Sequence, residues 1–228
     1  MTPDPRRAFS ATAAFGLAVA LGLGLGWAFA CPAFGQAGWT GVDSSRYILL
    51  SASPAFTVNC PPWFEMKIEA KTSPKCGSGD RFMSELSLAE GRSQGVGRPF
   101  QLSATVIDLT QEEVGVIGLV GEGQYWDLVG RTLGSKGGSF HGSRILEYRG
   151  FKAADMDVSI PSGTDSNGAR LSRYFAERSV INGTGMFTLI CAFMAPFDEV
   201  QAGGMNMRDV PDVAGICNPF FDSLEFKR

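Results

Sequence analysis

The chain has 228 residues, 44% of them hydrophobic, with 20 Lys and Arg against 23 Asp and Glu, one histidine and a formal net charge of −3. That length suits a single domain and is enough to bury a core unaided. With no Lys/Arg cluster longer than a pair, the sequence lacks the basic footprint that nucleic-acid binding requires.

Arg6 and Arg7 precede an uncharged, largely apolar run from Ala8 to Ala37. A basic start, an apolar middle and the small-residue exit Pro32-Ala33-Phe34-Gly35-Gln36-Ala37 are the parts of a secretory signal peptide. The expected organisation is a signal peptide over 1–37, a flexible lead-in over 38–45 and one α+β domain over 46–228. Ala11–Ala30 is also about long enough to span a bilayer as an uncleaved anchor. Arg6-Arg7-Ala8-Phe9-Ser10 is compatible with twin-arginine export as well as the general route. Cleavage before Cys31 with lipid attachment is a further reading, although Ala28-Phe29-Ala30-Cys31 lacks most of a lipobox. Nothing after Ala37 is apolar for long enough to cross a membrane as a helix.

Five cysteines become four once Cys31 leaves with the leader. An even number in an exported chain points to disulfides. Three pairings are possible, and Cys60–Cys76 with Cys191–Cys217 is preferred. The first brackets a candidate hairpin, and the second ties a late strand to the C-terminal segment. No Cys-x-x-Cys is present and His141 is the single histidine, so neither a metal site nor a cofactor is expected.

Strand candidates follow the lead-in. Tyr47–Leu50 and Ala55–Val58 are short. Trp63–Ala70 and Asp80–Ala89 alternate apolar and polar residues, and Phe100–Leu109 carries Leu102, Ala104 and Val106 on one face. Thr110-Gln111-Glu112-Glu113 then reads as a capping box opening a helix that runs to Leu133. Its glycines weaken the first half.

The remainder reads as antiparallel strands. Arg144–Tyr148 turns at Arg149-Gly150 into Phe151–Ile160. Ala169–Val180 turns at Asn182-Gly183, a hairpin dipeptide, into Met186–Met194, where Phe187, Leu189, Cys191 and Phe193 share a face. Ala195–Met207 is expected as loop. Asp209–Phe226 is helical in pattern, with Val213, Ile216, Phe220 and Leu224 facing the sheet and a break near Asn218-Pro219.

Chemistry-bearing patterns are few. His141, between Phe140 and Gly142, is expected in a loop, and no Gly-x-Ser-x-Gly elbow accompanies it. Asp155 and Asp157 share a strand face and form a candidate carboxylate pair, but alternation with Met156, Val158 and Ile160 assigns them to the solvated side. Trp63, Trp126, Phe220 and Phe221 are expected in the core. Asp165-Ser166-Asn167-Gly168 opens like a calcium loop but lacks the later Glu, so it reads as a turn.

From Phe100 the order is strand, capped helix, antiparallel strands and C-terminal helix. The strand–Gly–strand step over Arg144-Ile145-Leu146-Glu147-Tyr148-Arg149-Gly150-Phe151-Lys152-Ala153 and the hairpin over Arg178–Phe187 resemble exported bacterial proteins of the PsbP-like α/β/α sandwich class. The resemblance implies a central antiparallel sheet with helices on its faces and a non-enzymatic accessory role. The expected function is that of an exported, disulfide-stabilised protein that binds another periplasmic or envelope protein. The rival is a carrier of a small ligand or lipid in an apolar pocket between the sheet and the Thr110 helix.

Overall fold

The computed structural model describes residues 42–43, 47–50, 56–61, 63–73, 83–109, 124, 131–132, 137–183, 185–201 and 207–226. The expected leader lies outside them. So does most of the expected Thr110–Leu133 helix, of which Gln124, Arg131 and Thr132 are described and helical. Trp126 and Cys76 also fall outside.

The fold is α+β. Seven antiparallel strands make the large sheet: β4 (Glu65–Ser73), β5 (Met83–Arg92), β6 (Pro99–Asp108), β7 (Ser139–Tyr148), β8 (Phe151–Thr164), β9 (Arg170–Asn182) and β10 (Gly185–Pro196). Their order is β4-β5-β6-β10-β9-β8-β7. Two meanders, β4–β6 and β7–β10, therefore meet along one seam, β6 against β10, from Asp108↔Gly185 to Phe100↔Phe193. A small sheet is built from β1 (Val42–Asp43), β2 (Tyr47–Leu50), β3 (Phe56–Asn59) and β11 (Glu225–Phe226). Val42 and Asp43, inside the segment read as a lead-in, thus pair with β2.

The core lies between one face of the large sheet and a layer made of β3, β11 and the C-terminal helix α2 (Pro211–Asp222). Phe187, Leu189, Cys191 and Phe193 of β10 point into it, beside Leu102, Ala104 and Val106 of β6 and Val213, Ile216 and Phe220 of α2. Phe187 meets Phe56 and Phe226 edge-on at 5.4 and 4.8 Å between ring centroids, an arrangement aromatic rings favour. The alternate residues of β10, Met186, Thr188, Ile190 and Ala192, are buried too. The central strand is therefore covered on both faces, which is why its sequence is an almost unbroken apolar run.

Several sequence expectations shift. The segment after β10 holds a short helix, α1 (Phe197–Gln201), and a 3-10 turn (Met207–Asp209) rather than loop alone. Helix α2 runs through Pro219 without a break. Proline removes the donor that would reach the Gly215 carbonyl. Gly215 and Pro219 lie on the exposed face, where that oxygen is within reach of solvent. The buried stripe Val213, Ile216, Cys217, Phe220 and Phe221 holds the helix in place. The helix then stops at Ser223, and Glu225 and Phe226 pair with β3 instead of continuing it.

Arg149 and Gly150 have φ of 52° and 82°, the left-handed pair that a two-residue type I′ turn requires. At the second hairpin Asn182 pairs with Gly185. Asn182 thus still belongs to the ladder, and the turn begins at Gly183, one residue later than the dipeptide suggests. Gly183, at φ 62°, supplies the left-handed conformation.

Candidate functional site

Asp155 and Asp157 do not lie on a solvated face. They are 2% and 5% exposed and point toward α2 and the 3-10 turn. Strand register builds most of their surroundings. Asp155 on β8 stands opposite Arg144 on β7 and Arg178 on β9, and Asp157 stands opposite Gly142 and Ala176. Arg178 donates from Nε to Asp155 Oδ1 at 2.7 Å and from Nη2 to Oδ2 at 3.1 Å, a two-pronged pair. Arg144 Nη2 reaches Asp155 Oδ2 at 2.7 Å.

The layer above supplies the rest. Asp222 of α2 accepts from Arg178 Nη1 at 2.6 Å. Arg208, carried by the 3-10 turn, donates from Nε to both Asp157 oxygens at 3.1 and 3.2 Å. Its Nη2 reaches the Glu177 and Met156 carbonyls at 2.9 and 3.3 Å, and its Nη1 lies 3.3 Å from Asp155. Three arginines and three aspartates thus form one largely buried network.

Burial alone would raise the Asp155 carboxyl. Hydrogen bonds from Arg178, the Arg208 and Arg178 charges and the Arg144 hydrogen bond outweigh it and hold Asp155 below the usual range. Burial raises the Tyr174 hydroxyl strongly, helped by the adjacent Asp157 charge. On the opposite sheet face, burial pushes Glu177 up to about 8, with the Asp157 charge adding to it and Arg208 opposing.

His141 is in β7, not in a loop. It is the extra residue of a β-bulge between Phe140 and Gly142. Its Nε2 lies 2.8 Å from Ser159 Oγ and its ring stacks on Tyr174 at 5.2 Å. Ser159 is 1% exposed, so this contact does not present a nucleophile. Burial lowers the His141 pKa.

Beside the network opens a polar cleft of about 270 Å³. Its floor is Asp155, Asp157 and Arg208. Gly142, Ser143 and Arg144 of β7 form one wall, and Asp209 with Asn218 of α2 form the other. Gly142 has φ 148°, and a Cβ there would meet nothing within 4 Å. The bulge and this glycine leave the Asp157 side of the cleft open.

Cys191 and Cys217 are joined by a disulfide with Cα atoms 5.6 Å apart, tying β10 to α2. Cys60 is a buried free thiol, so it does not take the bridge to Cys76 expected for it. Burial pushes that thiol up to about 12.

Trp63, expected in the core, is 48% exposed, whereas Phe220 and Phe221 are buried. Asp165 Oδ1 accepts the Asn167 and Ala169 N–H groups, both at 2.8 Å, in a local turn. Among the described residues no group of three or more His, Cys, Asp or Glu can hold a metal ion. No helix among them is long and apolar enough to cross a membrane.

Sequence reasoning found Asp155 and Asp157 but missed Arg144, Arg178 and Arg208. Their one sequence trace is Arg178 set against Asp155 once the strand after Gly150 is paired with the next.

No family model matches the chain, and no curated protein matches it. Among solved structures it is similar to cyanobacterial PsbP (CyanoP) from Synechocystis sp. PCC 6803, at 11% identity and a TM-score of 0.40. That match covers 85% of this chain and 98% of the other. It is also similar to a protein of unknown function from Pseudomonas aeruginosa, at 12% identity and TM-score 0.33, covering 80% and 99% of the two chains. LpqN, involved in cell envelope biogenesis of Mycobacterium tuberculosis, matches at 11% identity and TM-score 0.32, covering 76% and 83%. The likeness to the PsbP-like sandwich is a distant one, of fold.

Proposed function

We propose that this is an exported, non-enzymatic binding protein of the bacterial periplasm or cell envelope that docks on another envelope protein. The pairing of Asp155 and Asp157 with Arg178 and Arg208 carries this reading. A carboxylate pair used for acid–base chemistry needs one member held near neutral pH. Here Asp155 is held ionised and both are locked by guanidinium groups. The basic and apolar leader supports export, and the Cys191–Cys217 bridge suits an oxidising compartment.

The docking surface we favour is the β7 edge of the large sheet. Ile145 there is 40% exposed, on the strand that ends the large sheet among the described residues. The rival, a small-ligand or lipid carrier, has its apolar pocket against the Thr110 helix, most of which lies outside the described residues.

A photo-crosslinking residue at Ile145, introduced into the chain expressed with its leader, tests this. The expected outcome is one discrete adduct with an envelope protein, absent when the probe stands at Thr164 on the exposed β8–β9 tip. Absence of any adduct at Ile145 would overturn the docking proposal. Retention of the protein in the cytoplasm would overturn export.

A further inference from the structure

We infer that the polar cleft beside β7 binds a small zwitterion of the α-amino acid class. The inference is independent of the protein-docking proposal.

The groups left for a ligand are those the network does not consume. Arg208 gives its Nε to Asp157 and its Nη2 to the Glu177 and Met156 carbonyls, and its Nη1 forms an ion pair with the neighbouring Asp155. Arg144 gives only Nη2 to Asp155, and its side chain is 67% exposed. Its remaining donors stand at the β7 wall. On the facing wall, Asp209 is exposed and takes part in no ion pair among the described residues. Asn218 of α2, half-buried beside it, adds one amide that can donate or accept.

The cleft therefore offers one guanidinium, one carboxylate and one amide on opposing walls. A simple anion drawn to Arg144 would meet Asp155, Asp157 and Asp209. A simple cation drawn to Asp209 would meet Arg144 and Arg208. A ligand with a carboxylate at one end and an ammonium at the other matches both walls, through a charge-assisted hydrogen bond at each. A volume of about 270 Å³ lies just below the roughly 300–1,000 Å³ of pockets for drug-sized ligands. A single amino acid suits it. The missing side chain at Gly142 keeps this space clear.

The test is calorimetric titration of the folded, disulfide-intact protein with each of the twenty standard amino acids, and with acetate and methylammonium as single-charge probes. At least one amino acid should bind saturably, about tenfold or more tighter than either single-charge probe. Asp209→Asn and Arg144→Gln should each weaken that binding about tenfold. Asp209→Asn touches none of the network's ion pairs, so its melting temperature should be unchanged and it decides the matter if Arg144→Gln loses stability. Absence of saturable binding by every amino acid would overturn the inference. So would acetate or methylammonium binding as tightly, or binding that Asp209→Asn leaves intact.

Discussion

Asp155 shows how far a single side chain depends on distant partners. Its carboxylate meets Arg144, Arg178 and Arg208, which lie 11, 23 and 53 positions away in sequence. Removing one member of a buried, paired set leaves the others uncompensated, at a cost of about 3–5 kcal/mol. Asp155→Ala should therefore lower the unfolding free energy by about that much in urea titration. A loss under 1 kcal/mol would mean the arginines find water. Gly183 is a second test at this scale, since Val cannot adopt φ 62° without strain. Gly183→Val should cost at least about 1 kcal/mol, read from the denaturation midpoint. The sequence revealed the alternation of Asp155 and Asp157 with apolar neighbours but not which side was wet. Period 2 separates two faces, and when both are covered, polarity marks a buried network as readily as a surface.

Helix α2 is the element on which the candidate site and the core both depend. It supplies Asn218 to the cleft, Asp222 to Arg178 and the apolar stripe to the sheet. Its C-terminal carbonyls are met from the first hairpin. Tyr148 Oη reaches the Asp222 and Leu224 carbonyls at 2.8 and 3.0 Å, and Arg149 Nη2 donates to the Asp222 carbonyl at 3.1 Å. A cation suits that end of a helix. The disulfide anchors its middle and closes a 26-residue separation, worth about 3.5 kcal/mol in the chain-entropy account. Cys217→Ser should thus lower stability by about 2–4 kcal/mol under oxidising conditions, and reductant should then have no further effect on that variant. A wild-type midpoint insensitive to reductant would contradict this. Every strand from Tyr47 to Met194 was legible from alternation and turn residues, with ends displaced by a few positions. The continuation of α2 through Pro219 was not legible, because local propensity carries no information about the buried stripe and bridge that override it.

At the scale of the molecule, titration sets the range of greatest stability. Asp155 has a lowered pKa in the folded state, so its contribution is present above the unfolded value near 4 and is lost as pH falls through the folded one. Glu177 behaves in the opposite sense. With its folded pKa raised to about 8, stability is full below the unfolded value near 4.3 and declines as pH rises toward 8. These two groups together place the optimum in mildly acidic solution. Glu177→Gln should flatten the decline between about pH 5 and 8 in thermal melts while leaving the acid limb unchanged. An undiminished slope would assign the alkaline loss elsewhere.

The seam between β6 and β10 has a kinetic consequence. Its partners are separated by 77 residues at one end and 93 at the other, so a long loop must close before they reward each other, which slows folding. The β7–β10 meander has local contacts and can assemble early, as can β4–β6. Until they dock, each half carries an open hydrogen-bonding edge along β6 or β10, a template for neighbouring chains. Cys217 and α2 lie beyond β10, so a nascent chain exposes all seven strands of the large sheet before the latch that holds them has been synthesised. Crowding and slow release should then favour aggregation of the half-made protein over that of the finished one.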